Sequence, residues 1–226
     1  MSALAGLLVT PAAAVAVLAV VRSYRASAVL NVVGSLLTLA FSLGLFFTER
    51  ETGLFFFVDD FNIYLVVLTA FVGFTTSVFS GSYIRHELDI GRLVPSYLRF
   101  YHSMFQAFMG SLLLALVANN LGIMWVAVEA ATLSTALMVS LYRTHEAIEA
   151  AWKYFILCGV GIALALFGTI LMYFVAQPVM GSGLESLAWT NMLARVPAFD
   201  PVILNLAFIF LLIGYGTKVG LAPLHA

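Results

Sequence analysis

The sequence predicts an all-α, polytopic transmembrane bundle of about seven helices. Three observations lead there. Hydrophobic residues make up 63% of the 226 positions and charged residues only 9%, whereas a soluble domain carries about 25% charged residues. Apolar runs of the length that crosses a hydrocarbon core, about 20 residues, recur along the whole chain. These runs are uniformly apolar, unlike the alternating segments of about 10 residues that build an outer-membrane barrel.

The expected spans cover residues 2–21, 27–47, 60–82, 99–118, 121–142, 149–176 and 201–226. The first lacks the basic leader of a signal peptide and is long enough to cross, so it reads as a helix that stays. "RSYRA" and "TERETG" bracket the second. Asp59 and Asp60 open the third, where acids favour the positive end of the helix dipole. "YIRHELDIGRLVPSYLR" leads into the fourth, only "NN" separates fourth from fifth, and "YRTHEAIE" precedes the sixth. The seventh follows "GSGLESLAWTNMLARVPAFD". Glu185, Asp200 and the charges of the third connection read as solvated.

Arginines orient the chain. Connections one, three and five hold Arg22, Arg25, Arg85, Arg92, Arg99 and Arg143, while two, four and six hold only Arg50 and Arg195. Six against two places the first set in the cytoplasm, with the N-terminus outside.

Several function classes are excluded. A net charge of -1 leaves no basic stripe for nucleic acid. The single cysteine, Cys158, makes no internal disulfide, four-cysteine metal site or iron–sulfur site. It reads as a small buried hydrophobe. No histidine and acid pair has metal-ligand spacing, and no Ser/His/Asp set is legible, so no catalytic residues, metal or cofactor are expected on this chain. His102, in "RFYHSMF", reads as interfacial.

The informative residues are ionisable groups inside apolar runs. The chain has two lysines, Lys153 and Lys218, and every other cation is arginine. Lysine releases its proton when desolvated and arginine does not. Glu129, in "LGIMWVAVEAATLSTALMV", lies about 12 Å along its helix from the outer end, deep in hydrocarbon. An isolated carboxyl there costs at least ~2.5–3.5 kcal/mol, and intramembrane acids are functional by default. Thr132 and Ala136 share its face at i+3 and i+7, a small polar face that suits a bundle interior. Lys153 follows Glu149 by four residues, so an ion pair along the helix is expected. It reads equally as a functional amine or as one snorkelling to the interface. Lys218 is flanked by Gly216, Gly220 and Pro223, which predict that the last helix unwinds or kinks there, the alternative being a lysine that snorkels from the end of a plain helix. Irregular backbone at membrane depth is tolerated where it is buried or lines a wet cavity. His225, in "APLHA", joins the list as a group that titrates near neutral pH. One difficulty stands: Lys218 lies about 25 Å along its helix from Pro201, and Glu129 near mid-depth.

The segments "NNLGIMWVAVEAATLSTALMVSLYRTHEAIEAAWKYFILCGVGIALALFGT" and "LAFIFLLIGYGTKVGLAPLH" resemble the antiporter-like membrane subunits of respiratory complex I, Mrp antiporters and membrane-bound hydrogenases, with the hydrogenase-4 component F type as the nearest likeness. "VDDFNIYLVVLTAFVGFTTSVFSGSYI" fits the family's third helix. The resemblance implies about fourteen helices in two inverted five-helix repeats, each with a broken helix. It implies that Glu129, Lys218, Lys153 and His225 carry proton translocation, with Glu129 and Lys218 paired. Residues 1–98 would then hold helices 1–3 and a cytoplasmic loop, and 99–226 the start of the first repeat, stopping before helix 8. The family continues beyond "PLH", so a truncated N-terminal half is the expected description. The partners implied are other membrane subunits of a hydrogenase or complex I-like assembly, lipid in a cell inner membrane, and protons, with sodium as the alternative ion. An Mrp-type Na⁺/H⁺ antiporter subunit and a structural membrane-arm scaffold are the alternative functions.

Overall fold

The computed structural model describes residues 2–50, 52–93 and 97–222, leaving the side chains of Leu98 and Arg99 outside that description. Among the described residues eight α-helices form: α1 Ala3–Val20, α2 Tyr24–Gly44, α3 Asn62–Asp89, α4 Leu98–Val117, α5 Leu121–Val139, α6 His145–Met180, α7 Trp189–Arg195 and α8 Pro201–Val219. Seven are long and apolar enough to cross a membrane, and α7 is a short helix in the connection between α6 and α8. All seven expected spans are present. Their ends differ most where charge continues the helix. α3 runs on through Arg85, Glu87 and Asp89, and the 36-residue α6 is about 54 Å long, well beyond a hydrocarbon core of ~30 Å.

Helix starts are set by local side chains. The Ser2 hydroxyl accepts from Ala5 N, Asn120 Oδ1 from Gly122 N and Ile123 N, and Thr144 Oγ1 from Ala147 N. Asp200 Oδ1 accepts from Val202 N and Ile203 N ahead of Pro201, so it caps α8 rather than being simply solvated. Asp59 Oδ1 accepts from Phe61 N and Asn62 N at the start of α3, as the acids there imply, and Asp60 pairs with Arg50 at 2.7 Å.

α4 is the central element, packed on α1, α2, α3 and α5; α5 packs in turn on α6, and α6 on α8. The α6–α8 contact is the tightest. A Cβ on Gly161 would meet Thr217 Oγ1 at 2.1 Å, one on Gly168 would meet Leu211 Cγ at 2.8 Å, and one on Gly214 would meet Ala165 N at 2.5 Å and Gly161 O at 2.7 Å. Small residues at 161, 165 and 168 thus let two backbones touch, the usual route to helix association where lipid is as apolar as leucine.

The even-numbered connections meet at one end of the bundle. Phe57 N donates to Val117 O at 2.8 Å, Asn119 N to Phe55 O at 2.9 Å, and Trp189 N to Asn119 O at 2.6 Å. The buried Asn119 side chain ties the three together, donating to Gly53 O and Thr190 Oγ1 while its own Oδ1 accepts from Thr190 N. The other end carries the arginine-rich connections.

Two further residues differ from expectation. Glu87 is not solvated: it is 4% exposed, with Arg92 at 3.7 Å, because the lengthened α3 turns it inward. His102 is not interfacial: it is fully buried in α4, one turn before Gln106, which bonds to α2.

Two measurements follow. Gly214→Ala places a methyl against backbone and is expected to destabilise the fold by about 1–3 kcal/mol, the usual cost of overpacking. Gly159→Ala on the same pair of helices meets nothing within 4 Å and is expected to be neutral or stabilising. Thermal unfolding in detergent compares them. Asn119→Ala is expected to expose the backbone amides of Asn119 and Trp189 to fast hydrogen exchange while the amides within α6 and α8 stay protected.

Candidate functional site

The site is built where α5, α6 and α8 converge on α4. Lys218 occupies the last turn of α8. The helix does not unwind at Lys218: it runs continuously to Val219 and ends at Gly220, whose φ of 70° forms a left-handed cap. The break therefore falls two residues after the lysine. Pro223 and His225 lie outside the described residues.

The Lys218 amine donates to Thr132 Oγ1 at 2.7 Å and to the Cys158 carbonyl at 3.3 Å. Thr132 in turn donates to Val128 O at 2.9 Å, which leaves its oxygen lone pairs free for the amine. The depth difficulty resolves through side-chain direction. Thr132 is about 16 Å along α5, entered from the same end as α8, against about 25 Å for Lys218. Side chains lean toward the N-terminus of their own helix, and the long lysine stem leans back across that difference.

Glu129 stands one turn before Thr132. It is half-buried, and its Oε2 is buried with no partner among the described residues. Thr132 and Ala136 are both buried, so the face expected to turn inward does so. The pairing differs from expectation in one respect: the amine rests on Thr132, not on the carboxylate itself. The two ionisable groups are neighbours joined through a hydroxyl-bearing turn.

A cleft of about 290 Å³ opens beside Lys218 and Thr132. Its polar lining is Thr132, Thr135, Tyr154, Cys158, Thr217 and Lys218, and α4 closes it with Phe108, Leu112 and Ala115. Thr135 and Tyr154 exchange a hydrogen bond at 3.0 Å, extending the polar wall toward the arginine-rich end. The space is roomy and polar enough to hold water. Trp125 Nε1 donates to Ile162 O at 2.8 Å and clamps α5 on α6 behind the site. Cys158 is buried, as expected. Among the described residues, no three His, Cys, Asp or Glu side chains come together to hold a metal ion.

Lys153 is elsewhere. Its amine pairs with Glu149 at 2.5 Å, the i,i+4 pair expected, and its side chain is 71% exposed on the outside of α6. The structure brings Glu129 and Lys218 together and leaves Lys153 outside the cleft. Sequence reasoning missed Thr132 as the amine's acceptor, although its place on the Glu129 face was legible, and missed Tyr154, which follows Lys153.

Residues 118–226 match the family described as NADH:quinone oxidoreductase/Mrp antiporter, transmembrane. The Hydrogenase-4 component F homolog of Methylacidiphilum infernorum is 54% identical over 221 residues, covering 98% of this chain and 46% of the relative. NADH-quinone oxidoreductase subunit N 2 of Thermodesulfovibrio yellowstonii is 28% identical over 206 residues, covering 91% of this chain and 42% of the relative. The chain thus spans less than half the length of these relatives. Among solved structures, a chain of the archaeal membrane-bound sulfane sulfur reductase shares the fold with a TM-score of 0.82 at 16% identity, over 100% of this chain and 46% of that one. A chain of respiratory complex I from Thermus thermophilus shares it with a TM-score of 0.75 at 24% identity, over 99% and 45%. In sequence and in fold, the chain belongs to the antiporter-like membrane subunits related to hydrogenase-4 and NADH-quinone oxidoreductase.

Proposed function

We propose that the chain translocates protons as part of a redox-driven membrane assembly of the hydrogenase-4 type, in a cell inner membrane with its N-terminus outside. One observation carries this reading: the Lys218 amine is held inside the bundle on Thr132, one turn from Glu129, whose buried Oε2 has no partner among the described residues, and it lines a cleft that water can fill.

The chemistry follows from that geometry. An amine bonded to a hydroxyl and a carbonyl holds a proton with neutral acceptors only, and Glu129 one turn away supplies the countercharge. A rotation of the lysine stem or one bridging water joins the amine to the carboxylate and steadies the charged form. Drawing the two apart leaves a desolvated ammonium that gives its proton to the cleft. Moving one charge against 100 mV costs ~2.3 kcal/mol, so an external redox step has to drive the change. That step belongs to partner subunits, which also hold the cofactors. A static scaffold is disfavoured, since a structural ion pair is best served by direct contact, and here the amine rests on Thr132.

Lys218→Met, in the native assembly reconstituted into vesicles, is expected to lower proton translocation by at least ~100-fold, the lower range for a positioned proton-transfer group. Redox turnover in the partner subunits should persist. Unchanged pumping overturns the reading, and sodium-driven acidification that survives in wild type without redox substrate favours an Mrp-like antiporter instead. Thr132→Val removes one hydrogen bond to a charged group, worth about 1.5–3 kcal/mol, and is expected to slow translocation by roughly tenfold or more. Thr132→Ser restores the acceptor and should restore the rate.

A further inference from the structure

A second polar cluster lies inside the bundle, on a different face of α4 from the Lys218 cleft. α2 buries a stripe of polar residues, Ser27, Asn31, Ser35, Thr38 and Ser42, at helical spacing. α4 answers it with Gln106, whose Nε2 lies 2.8 Å from Asn31 Oδ1, 2.9 Å from Ser35 Oγ and 3.0 Å from Asn31 O. His102 stands one turn before Gln106, and Ser27 one turn before Asn31. Both helices run the same way from the arginine-rich end, so His102 and Ser27 sit at matching depth, about 6 Å and 5 Å in from their helix starts.

Four atoms at this level have no hydrogen-bond partner among the described residues: Ser27 Oγ, Asn31 Nδ2, and both ring nitrogens of His102. All three residues are at most 1% exposed. A neutral imidazole always presents one donor and one acceptor. Leaving both unmatched beside an unmatched hydroxyl and amide is costly unless water satisfies them. The cluster is buried, and Gln106 also lines a cleft of about 350 Å³ against α1. The Tyr101 ring stands edge-on to His102 at 5.2 Å between centroids. Toward the far end the apolar cluster of Leu7, Leu45, Leu113 and Val117 closes the bundle. Among the described charged side chains of the packed helices, Arg25 is exposed, Arg85 lies beside the exposed Asp89, and Glu87 is buried with Arg92.

We propose that Ser27, Asn31, His102 and Gln106 hold ordered water between α2 and α4, and that the His102 imidazole relays protons between those waters, as a station separate from Lys218. One ring nitrogen accepts a proton from a water while the other gives its proton to the next. The ring is neutral before and after and ends as the other tautomer. This relay rests on the proton-translocation reading, although the water site itself does not.

Two readouts separate them. In native membranes with ¹⁵N-labelled histidine, both ring nitrogens of His102 are expected to show magnetisation transfer from water protons. A dry ring, or one bonded only to protein groups, overturns the proposal whatever the pumping rate. In the reconstituted assembly, His102→Gln keeps a hydrogen-bonding side chain but cannot exchange tautomers. Translocation is expected to fall about 100-fold, with redox turnover and thermal stability retained; wild-type translocation in this variant overturns the relay. If the variant does not assemble, the water contacts of the wild-type ring decide. A Lys218→Met variant that pumps normally removes the proton-translocation reading, and the hydration of His102 still tests the water site.

Discussion

The approach of α8 to α6 is the constraint on which the site depends. Gly214 sits on the Ala165 amide and the Gly161 carbonyl with no room for a methyl group. That contact fixes the rotation and height of α8, and with them the point from which Lys218 reaches inward. The same contact leaves the Cys158 carbonyl, three residues before Gly161, within 3.3 Å of the amine. In lipid no hydrophobic gain pulls helices together, so backbone-to-backbone fit has to do so. A lysine placed by such a fit is positioned by rigid elements rather than by a loop.

Polar groups inside the bundle divide into two sets with α4 between them. Toward α2 they are uncharged, and they line one long buried face. Toward α5, α6 and α8 they include a carboxyl and an amine. Gln106 and Thr132 both lie near mid-depth, about 16 Å from the end where α4 leaves and α5 enters. Apolar packing seals the regions above and below: Leu4, Leu7, Ile63 and Val66 at one end, Ile84, Leu93 and Leu141 at the other. Polar groups at mid-depth with apolar packing toward both ends are the distribution that the proposed proton path calls for.

The spans were legible because hydropathy over 20 residues reports transfer into lipid directly. Helix ends were less legible, since α3 keeps its backbone bonds through "SYIRHELD" although those residues do not partition into hydrocarbon. The inward face of α5 could be read from Glu129, Thr132 and Ala136, because one helix fixes their spacing. What escaped were relations between helices. Nothing in a single sequence says that Thr132 receives the Lys218 amine or that Gly161 meets Thr217. Nor does it say that the "NN" pair ties three connections together. His102 looked interfacial because four residues suffice to reach the surface from its place in "RFYHSMF"; burial came from α2, whose polar stripe was present in the sequence but diluted by leucine and valine between its members. Lys153 was the converse, an amine in an apolar run that the fold leaves on the outer face of α6.

The central claim is that Lys218 changes its protonation state as the assembly works. With only two lysines, the chain gives two side-chain ¹⁵N signals when it alone is labelled, and Lys153→Arg assigns them. Under turnover the Lys218 signal is expected to split between ammonium and amine forms while the Lys153 signal stays in one form. A Lys218 signal that remains entirely ammonium, at rest and under turnover alike, contradicts the claim.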